Sequence, residues 1–339
     1  MKTTRVIADL PADTLPIEAV IESGEPAIFK GVAKDWPLVR KGLEGARPAI
    51  EYLAEFDAGR PVVGYVGPPE IGGRFFYNED LTRLNFEARL VSFTEFLGRM
   101  ADHLEDPAPP SFYIGSTDLD LFLPVLGNEN RLPPDTPPFI DHPPMAGIWI
   151  GNRTIASTHY DFSNNIACNL IGRRRFTLFP PDQIANLHPG PLEPTPGGQV
   201  VSMVDLRNPD FDRFPGFRDA LDAAQVAELQ PGDLLIYPAM LWHNVEALDA
   251  FNVMINYWWN AVPRFVDTPM TTLKHALLSL RDRPDHEKAA WRALFDYYVF
   301  GDPRRPAAHL PEHIQGPLAP IDETRARRLR ADVLDRLNR

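Results

Sequence analysis

The stretch THYDFSNN, residues 158–165, contains the residues on which the fold and the chemistry of this chain depend. If it forms a strand, His159 and Asp161 are two positions apart and their side chains point to the same side. In the interior of a barrel, a histidine and a carboxylate need a polar partner, and a metal ion is one such partner. The alternative is a core histidine hydrogen-bonded to Asp161, and the His-x-Asp pattern taken alone favours that ordinary interpretation.

A second histidine lies far along the chain, in PGDLLIYPAMLWHNV at residues 231–245. His243 follows a Pro-Gly-Asp turn and an apolar strand. Two histidines and one carboxylate are the facial ligand set of non-haem Fe(II), which leaves three positions open for a co-substrate and oxygen. The candidate metal ligands are therefore His159, Asp161 and His243.

The residues between and around these ligands are typical of short strands separated by turns. The chain also contains 36 prolines, which favour a loop-rich β protein over a helix bundle. This pattern predicts an antiparallel sandwich or barrel. The strand candidates are residues 147–150, 154–169, 173–179, 234–237 and 251–259.

The pattern differs on either side of this region. The preceding part mixes short strands with helices, and the following part has apolar residues at helical spacing. One N-terminal helix is expected at 92–104, with an apolar face formed by Phe93, Phe96, Leu97 and Met100. We therefore predict a mixed α/β flank at 1–105, a β core at 106–262 and a helical region at 263–339.

Composition limits the class of protein. Of the 339 residues, 44% are hydrophobic, and 46 acidic against 34 basic residues give a net charge of −12, which disfavours a nucleic-acid partner. The single cysteine excludes an intramolecular disulfide and suits a reducing compartment. No apolar run reaches the roughly 20 residues of a membrane helix, and the first residues lack the apolar core of a signal peptide. These features predict a cytoplasmic protein without a membrane partner.

Other candidate positions are weaker. In the Arg173-Arg174-Arg175 triplet, strand alternation places Arg174 on the opposite side from its neighbours, and a buried arginine requires an anion. Cys168 is expected to be a buried bystander. We expect the aromatic residues near the C-terminal end of the β core, Trp242, Tyr257, Trp258 and Trp259, in core and rim packing. The sequence contains no Walker A, GxGxxG or GxSxG motif.

Several blocks together resemble a known family, the cupin-like JmjC oxygenases related to factor inhibiting hypoxia-inducible factor. The similarity is carried by the run from residue 148 to 181, especially HYDFSNN at 159–165 and GRRRFTLFPPDQ, which continues to residue 183, and by VDLRNPDFDRFPGF at 204–217. It continues through PGDLLIYPAMLWHNV and VMINYWW, the last at 253–259, in the order in which the family has them. The N-terminal elements FKGVAKDWPL and RFFYN resemble bacterial cupin-like members more loosely.

The resemblance implies a double-stranded β-helix, or jelly roll, that binds Fe(II) and uses 2-oxoglutarate and O2. His159, Asp161 and His243 match the metal triad of the family. Oxidation in this class is coupled to conversion of 2-oxoglutarate to succinate and CO2.

The resemblance also implies a set of contacts to 2-oxoglutarate. Asn165 and Asn256 match family asparagines near the co-substrate. Tyr113, in SFYIGS, matches a tyrosine whose hydroxyl reaches the distal carboxylate. Arg174 occupies the position of a lysine that pairs with that carboxylate in the asparaginyl hydroxylase.

Two positions depart from the family pattern. The family threonine three residues before the first ligand is Ala156 here, so one hydrogen bond to the carboxylate is missing or comes from another residue. The Arg-Gln pair that holds the peptide substrate of the asparaginyl hydroxylase falls near Val200 and Val201. A different substrate is therefore expected.

The resemblance predicts an oxygenase that hydroxylates a protein side chain, with a small-molecule hydroxylase as the alternative. A cupin that binds metal and a carboxylate as a sensor without turnover is a further alternative, as is a scaffold built on the C-terminal helices. The substrate would be selected by loops around 66–80 and 128–140, which contain no recognisable code.

The apolar face of the C-terminal helices predicts a homodimer. The resemblance implies the same, because family members dimerise through this region. The apolar face of the helices is larger than the flank of one barrel requires, although packing on their own barrel is an equal alternative. This face contains Leu273, Leu277, Trp291, Phe295 and Tyr298.

Overall fold

The computed structural model describes residues 1–8 and 10–338. The chain forms two compact units, Met1–Asn260 and a second unit that begins at Ala261. The sequence pattern predicts a helical region that starts at residue 263. Within the described residues, none of the helices combines the length and apolar character that crossing a bilayer requires.

Fifteen strands lie in the described part of the first unit, and most of them pair antiparallel. In chain order they are β1 (Lys2–Thr3), β2 (Arg5–Ile7), β3 (Ala27–Phe29), β4 (Val62–Gly67), β5 (Arg74–Phe75), β6 (Glu87–Val91), β7 (Ser111–Asp118), β8 (Met145–Gly151), β9 (Ile155–His159), β10 (Asn164–Ile171), β11 (Arg174–Phe179), β12 (Gln225–Leu229), β13 (Leu234–Tyr237), β14 (Trp242–Ala247) and β15 (Asn252–Trp259).

Ten α-helices are present among the described residues, seven of them in the first unit. They are α1 (Ile17–Ser23), α2 (Pro37–Glu44), α3 (Ala46–Ala54), α4 (Phe93–Asp102), α5 (Leu119–Phe122), α6 (Pro124–Glu129), α7 (Phe217–Ala223), α8 (Pro269–Ser279), α9 (Asp285–Phe295) and α10 (Glu323–Leu337).

The strands form two sheets. The smaller has the order β1-β12-β11-β14-β9-β5, and the larger has the order β2-β3-β13-β10-β15-β8-β7-β4-β6. Each sheet contains a four-stranded antiparallel set, β12-β11-β14-β9 in one and β13-β10-β15-β8 in the other. Side chains from both sets share one core cluster, as in a jelly roll. The predicted double-stranded β-helix is confirmed.

Strand β15 shows why the sequences of the central strands in this fold are almost continuously apolar. Met254 belongs to the core between the sheets, whereas Val253, Ile255 and Tyr257 belong to the cluster on the other face of the larger sheet. Because successive side chains point to opposite faces, a strand buried on both sides needs apolar residues at nearly every position. The same alternation directs Asn256 towards the space between the sheets, where it lines a cavity.

The outer face of the larger sheet is covered by helices from the N-terminal part of the chain. The Ser92 side chain caps α4 by accepting a hydrogen bond from the Glu95 backbone N–H. The four apolar residues predicted for one face of this helix are buried, which confirms that prediction. Residues 1–105 also contribute β2, β3, β4 and β6 to the larger sheet, so the region predicted as a flank extends the sheet of the β core.

One strand prediction is wrong. Residues 154–169 were expected to form a single strand, but β9 ends at His159 and β10 begins at Asn164. The reason is topological, since β9 belongs to the smaller sheet and β10 to the larger sheet. The chain crosses between the sheets at residues 160–163, and Asp161 lies in this crossing rather than in a strand.

The second unit contains α8, α9 and α10, and none of these helices has a buried residue. Asp322 caps α10 by accepting a hydrogen bond from the Arg325 backbone N–H at 2.8 Å. Large apolar side chains are exposed along the unit, among them Leu278 at 79% and Phe300 at 75%. An extensive exposed apolar surface is typical of interaction sites.

We therefore expect the intact chain to form a homodimer through this apolar surface. Light scattering should give twice the chain mass for the wild type. A double variant with Glu in place of Trp291 and Tyr298 should give the monomer mass. It introduces two negative charges in each chain and therefore four in the interface of the dimer. Leu90→Glu, at a 72% exposed position of the first unit, is the matched control and should remain dimeric. A monomeric wild type would contradict the prediction.

Candidate metal centre

The two histidines of the site are brought together by strand pairing. His243 on β14 lies directly opposite His159 on β9 in the antiparallel ladder. Side chains of directly opposite residues leave the same face of a sheet. The two imidazole rings are 4.3 Å apart between centroids. Register alone therefore places two ligand nitrogens side by side.

Asp161 completes the group from the crossing after β9. Its Oδ2 lies 3.6 Å from His243 Nε2, and the ligand atoms of the three residues all lie within 4.8 Å of one another. The carbonyl oxygen of Asp161 accepts a hydrogen bond from the Met240 backbone N–H at 2.8 Å, which ties the crossing to the entry of β14. Met240 has φ +67°, a left-handed conformation that is uncommon for a non-glycine residue. Among the described residues, this is the one group of three or more potential ligands.

Backbone hydrogen bonds orient both imidazoles. Nδ1 of His159 lies 2.8 Å from the Ser157 carbonyl oxygen, and Nδ1 of His243 lies 2.9 Å from the Leu241 carbonyl oxygen. A carbonyl oxygen only accepts, so each Nδ1 carries the proton and donates it. Each Nε2 therefore offers a lone pair to a metal, the arrangement usual for histidine ligands.

Burial also keeps His243 neutral. The residue is 2% exposed, and burial, reinforced by neighbouring His159, lowers the pKa of His243 to about 4. A histidine must be neutral to bind a metal. Two neutral imidazoles and one carboxylate fit Fe(II) in the facial arrangement, so the donor set agrees with the predicted metal.

The triad lies in the wall of a cavity of about 490 Å³ between the two sheets. Most of the remaining wall is apolar. Within the described part of the chain, Asp161 and Arg174 are the charged residues that line it. Its aromatic side chains are Tyr65, Phe75, Phe86, Tyr113, Trp149, Phe162, Phe176, Tyr237 and Trp258.

Arg174 is buried in this cavity at 3% exposure, whereas its neighbours lie at the surface. Arg173 pairs with Asp249 at 2.8 Å, and Arg175 pairs with Glu228 at 2.8 Å. The alternation inferred from the sequence therefore matches the structure of β11.

No carboxylate in the described chain forms an ion pair with Arg174. Its Nε donates a hydrogen bond to Asn169 Oδ1 at 3.3 Å. Burial lowers the pKa of Arg174 to about 10, which leaves the guanidinium charged near neutral pH. A buried charge without a counter-ion costs several kcal/mol, so the site is suited to an anionic ligand.

The structure also places the other predicted co-substrate residues in the cavity wall. Tyr113 on β7 packs against Trp149 with ring centroids 5.9 Å apart. Asn256 accepts a hydrogen bond from Trp149 Nε1 at 2.6 Å and so holds the indole. The Oδ1 of Asn165 is buried and has no hydrogen-bond partner, and an orphaned polar atom in a cavity fits a site built for a polar ligand.

The two departures from the family pattern lie in different surroundings. Ala156 lines the cavity and leaves no hydroxyl there. Val200 and Val201 are each 4% exposed and belong to apolar clusters, Val200 with Phe217 and Val201 with Tyr77. Neither valine offers a polar group to a substrate.

Sequence reasoning missed much of the aromatic cavity wall, and Trp258 and Tyr237 are two examples. Trp258 was expected in core and rim packing but lines the cavity, and that expectation was wrong. Alternation along β15 from Asn256 could have identified it. Tyr237 was noted only as the end of a strand, yet it is 2% exposed and lines the cavity beside His243.

Fold and site together define a metal-binding cupin of the JmjC type. The model of the cupin-like domain family matches residues 12–265, and the chain belongs to this family. JmjC oxygenases depend on Fe(II), 2-oxoglutarate and O2, so the cofactor set predicted from the sequence is confirmed for the class.

The chain is also similar to individual proteins. It is 28% identical to lysine-specific demethylase JMJ31 of Arabidopsis thaliana over 270 residues, which cover 70% of this chain and 46% of that protein. Identity with Jumonji C domain-containing protein 5 of Drosophila melanogaster is 26%, covering 70% and 55%. Identity with tRNA wybutosine-synthesizing protein 5 of Danio rerio is 27%, covering 76% and 75%. The chain thus spans about half the length of the first two relatives.

We expect that His159, Asp161 and His243 are each required for metal binding. His243→Ala leaves two protein ligands, so iron content after anaerobic loading should fall sharply while the fold, which has separate cores, persists. Elemental analysis and circular dichroism measure the two effects. His103→Ala is the control because His103 pairs with Asp106 away from the triad, and it should retain full iron. Full iron stoichiometry in His243→Ala would refute the assignment.

Proposed function

We propose that this chain is an Fe(II)- and 2-oxoglutarate-dependent oxygenase that hydroxylates an uncharged protein side chain. One observation carries the proposal: the His-Asp-His group opens into the same cavity as a buried arginine that has no carboxylate partner in the described chain. A divalent metal ligand set and an unpaired cation in one cavity suit a dianion such as 2-oxoglutarate.

When bound, iron supplies the redox chemistry, which couples decarboxylation of 2-oxoglutarate to oxygen insertion into a C–H bond. The chain itself orients the reactants and excludes water. His159 and His243 are held in the ligating tautomer by backbone carbonyls, and Asp161 is held by the crossing. The aromatic wall keeps the surroundings dry, which strengthens electrostatic contacts in the cavity.

The lining of the cavity supports a neutral substrate group. The charged lining residues of the described chain are Asp161, assigned to the metal, and Arg174, assigned to 2-oxoglutarate. A cationic side chain or a charged metabolite would enter this space without a partner, which is unfavourable. An apolar or aromatic side chain of a polypeptide meets no such cost, because the charges of the polypeptide stay outside.

The experiment is anaerobic addition of Fe(II) and 2-oxoglutarate to the purified chain. A visible metal-to-ligand charge-transfer band should appear, and admission of air should convert 2-oxoglutarate to succinate even without substrate. His243→Ala is the negative control. A band without succinate would instead support the non-catalytic sensor, and the absence of both would refute the proposal.

The proposal assigns Arg174 and Tyr113 to the distal carboxylate of 2-oxoglutarate. The guanidinium offers two parallel N–H donors, which can replace the donor lost at Ala156. Tyr113 and Arg174 line the same cavity. Burial raises the pKa of Tyr113, so the hydroxyl keeps its proton and can donate it.

Arg174→Ala should weaken 2-oxoglutarate binding at least about tenfold and leave iron in place. Charge-assisted hydrogen bonds contribute about 1.5–3 kcal/mol each, and about 1.4 kcal/mol corresponds to tenfold. Arg174→Lys should lose less, because the charge remains. Calorimetric titration of 2-oxoglutarate measures the effect, with Arg173→Ala and Arg175→Ala as controls. Unchanged affinity in Arg174→Ala, or a larger loss in either control, would contradict the assignment.

A further inference from the structure

A buried hydroxyl next to the metal centre has no assigned role. Tyr237 is the last residue of β13 and is 2% exposed. Its ring lies 5.1 Å from the ring of His243, and it lines the same cavity as the triad. A phenol in this position brings a polar group into an apolar wall.

The hydrogen bonds of Tyr237 are incomplete. Nδ2 of Asn165 donates to the tyrosine hydroxyl oxygen at 2.7 Å, so the oxygen acts as acceptor and its own proton remains available. Within residues 1–8 and 10–338, no acceptor for that proton is found. Oδ1 of Asn165 is likewise buried without a partner. Buried polar groups are normally paired, and one left unpaired calls for a bound ligand or water.

Strand register places this pair at the metal end of the cavity. Tyr237 lies opposite Asn165 in the β10–β13 ladder, and Asn165 is the second residue of β10, directly after the crossing that contains Asp161. Arg174 is at the other end. On β11 the residue opposite His243 is Leu178, and at roughly 3.3 Å per residue Arg174 lies about 13 Å further along the strand.

We propose that the hydroxyl of Tyr237, oriented by Asn165, donates a hydrogen bond to the carboxylate that 2-oxoglutarate places at the metal. This positioning role rests on the proposed function and concerns the end of the molecule opposite to Arg174. An anionic oxygen is the strongest acceptor that a neutral hydroxyl can meet there. Burial raises the pKa of Tyr237 well above its ordinary value, so the donor keeps its proton.

Tyr237→Phe tests the proposal because it removes one oxygen atom and keeps the ring. The probes are Fe(II) alone and then 2-oxoglutarate, titrated without oxygen into the intact chain and followed by the charge-transfer band. Iron affinity should be unchanged, and the dissociation constant for 2-oxoglutarate should rise about tenfold. In the double variant with Arg174→Ala the two factors should multiply, because the two residues hold opposite ends.

Tyr257→Phe is the matched control. Tyr257 is also a buried tyrosine, but its hydroxyl accepts a hydrogen bond from the Leu132 backbone N–H at 2.9 Å, and the residue lies in the core cluster outside the larger sheet. This variant should bind 2-oxoglutarate as the wild type does. Asn165→Ala should also weaken 2-oxoglutarate binding, since the hydroxyl of Tyr237 remains but can rotate. Thermal unfolding of each variant verifies that the fold is intact.

Two results would overturn the inference while leaving the proposed function in place. One is wild-type affinity for 2-oxoglutarate in Tyr237→Phe. The other is a loss of iron affinity in that variant before 2-oxoglutarate is added, which would show that the hydroxyl supports Asp161 instead. If the wild type itself gives no charge-transfer band, the proposed function fails and this inference fails with it.

Discussion

The antiparallel register between β9 and β14 is the constraint on which the site depends. It sets His243 opposite His159, and both Nε2 atoms then face the space between the sheets. A slip of one residue would turn one of the imidazoles to the other face of the sheet. Asp161 joins them because the chain crosses between the sheets directly after β9, and the hydrogen bond from Met240 ties this crossing to the start of β14. Two histidines and a carboxylate thus meet although no local motif contains all three.

The cavity contains polar and charged groups whose burial is unfavourable without a ligand. Arg174 is buried in a cavity with a largely aromatic wall. The carboxylates of Asp249 and Glu228 pair with its neighbours Arg173 and Arg175 at the surface, and not with Arg174. Two other groups in the cavity lack a hydrogen-bond partner. Oδ1 of Asn165 has no donor, and the hydroxyl proton of Tyr237 has no acceptor among the described residues. Proteins rarely leave buried polar groups unpaired, so a buried cation and an unpaired hydroxyl proton in one cavity point to an anionic ligand there. The surrounding apolar wall raises the energy of every unpaired charge and equally strengthens each contact that a ligand would make.

Much of the fold could be predicted from local patterns. The positions of β3, β11 and β13 follow from short apolar runs between turn residues, and the capped helix α4 follows from Ser92 and an apolar face. The failure at residues 154–169 has a physical reason. The crossing at residues 160–163 contains no glycine or proline, and Tyr160 and Phe162 are as favourable in a strand as in the crossing. Trp259 is in the core as expected, whereas Trp258 was misjudged because alternation was not followed from Asn256 to Trp258.

The sequence by itself determined the chemistry that the chain can offer: the residue types of the triad, the out-of-step Arg174, and an ordered series of blocks that resembles the JmjC oxygenases. These features are local, or depend only on alternation along one strand. Tertiary structure decided which of them share a cavity. It paired Tyr237 with Asn165 and His243 with His159, and it set Arg174 at the far end, because each of these relations depends on pairing between strands that are distant in sequence. Non-local register follows from the packing of both sheets around one core, and no segment of the chain contains that information alone.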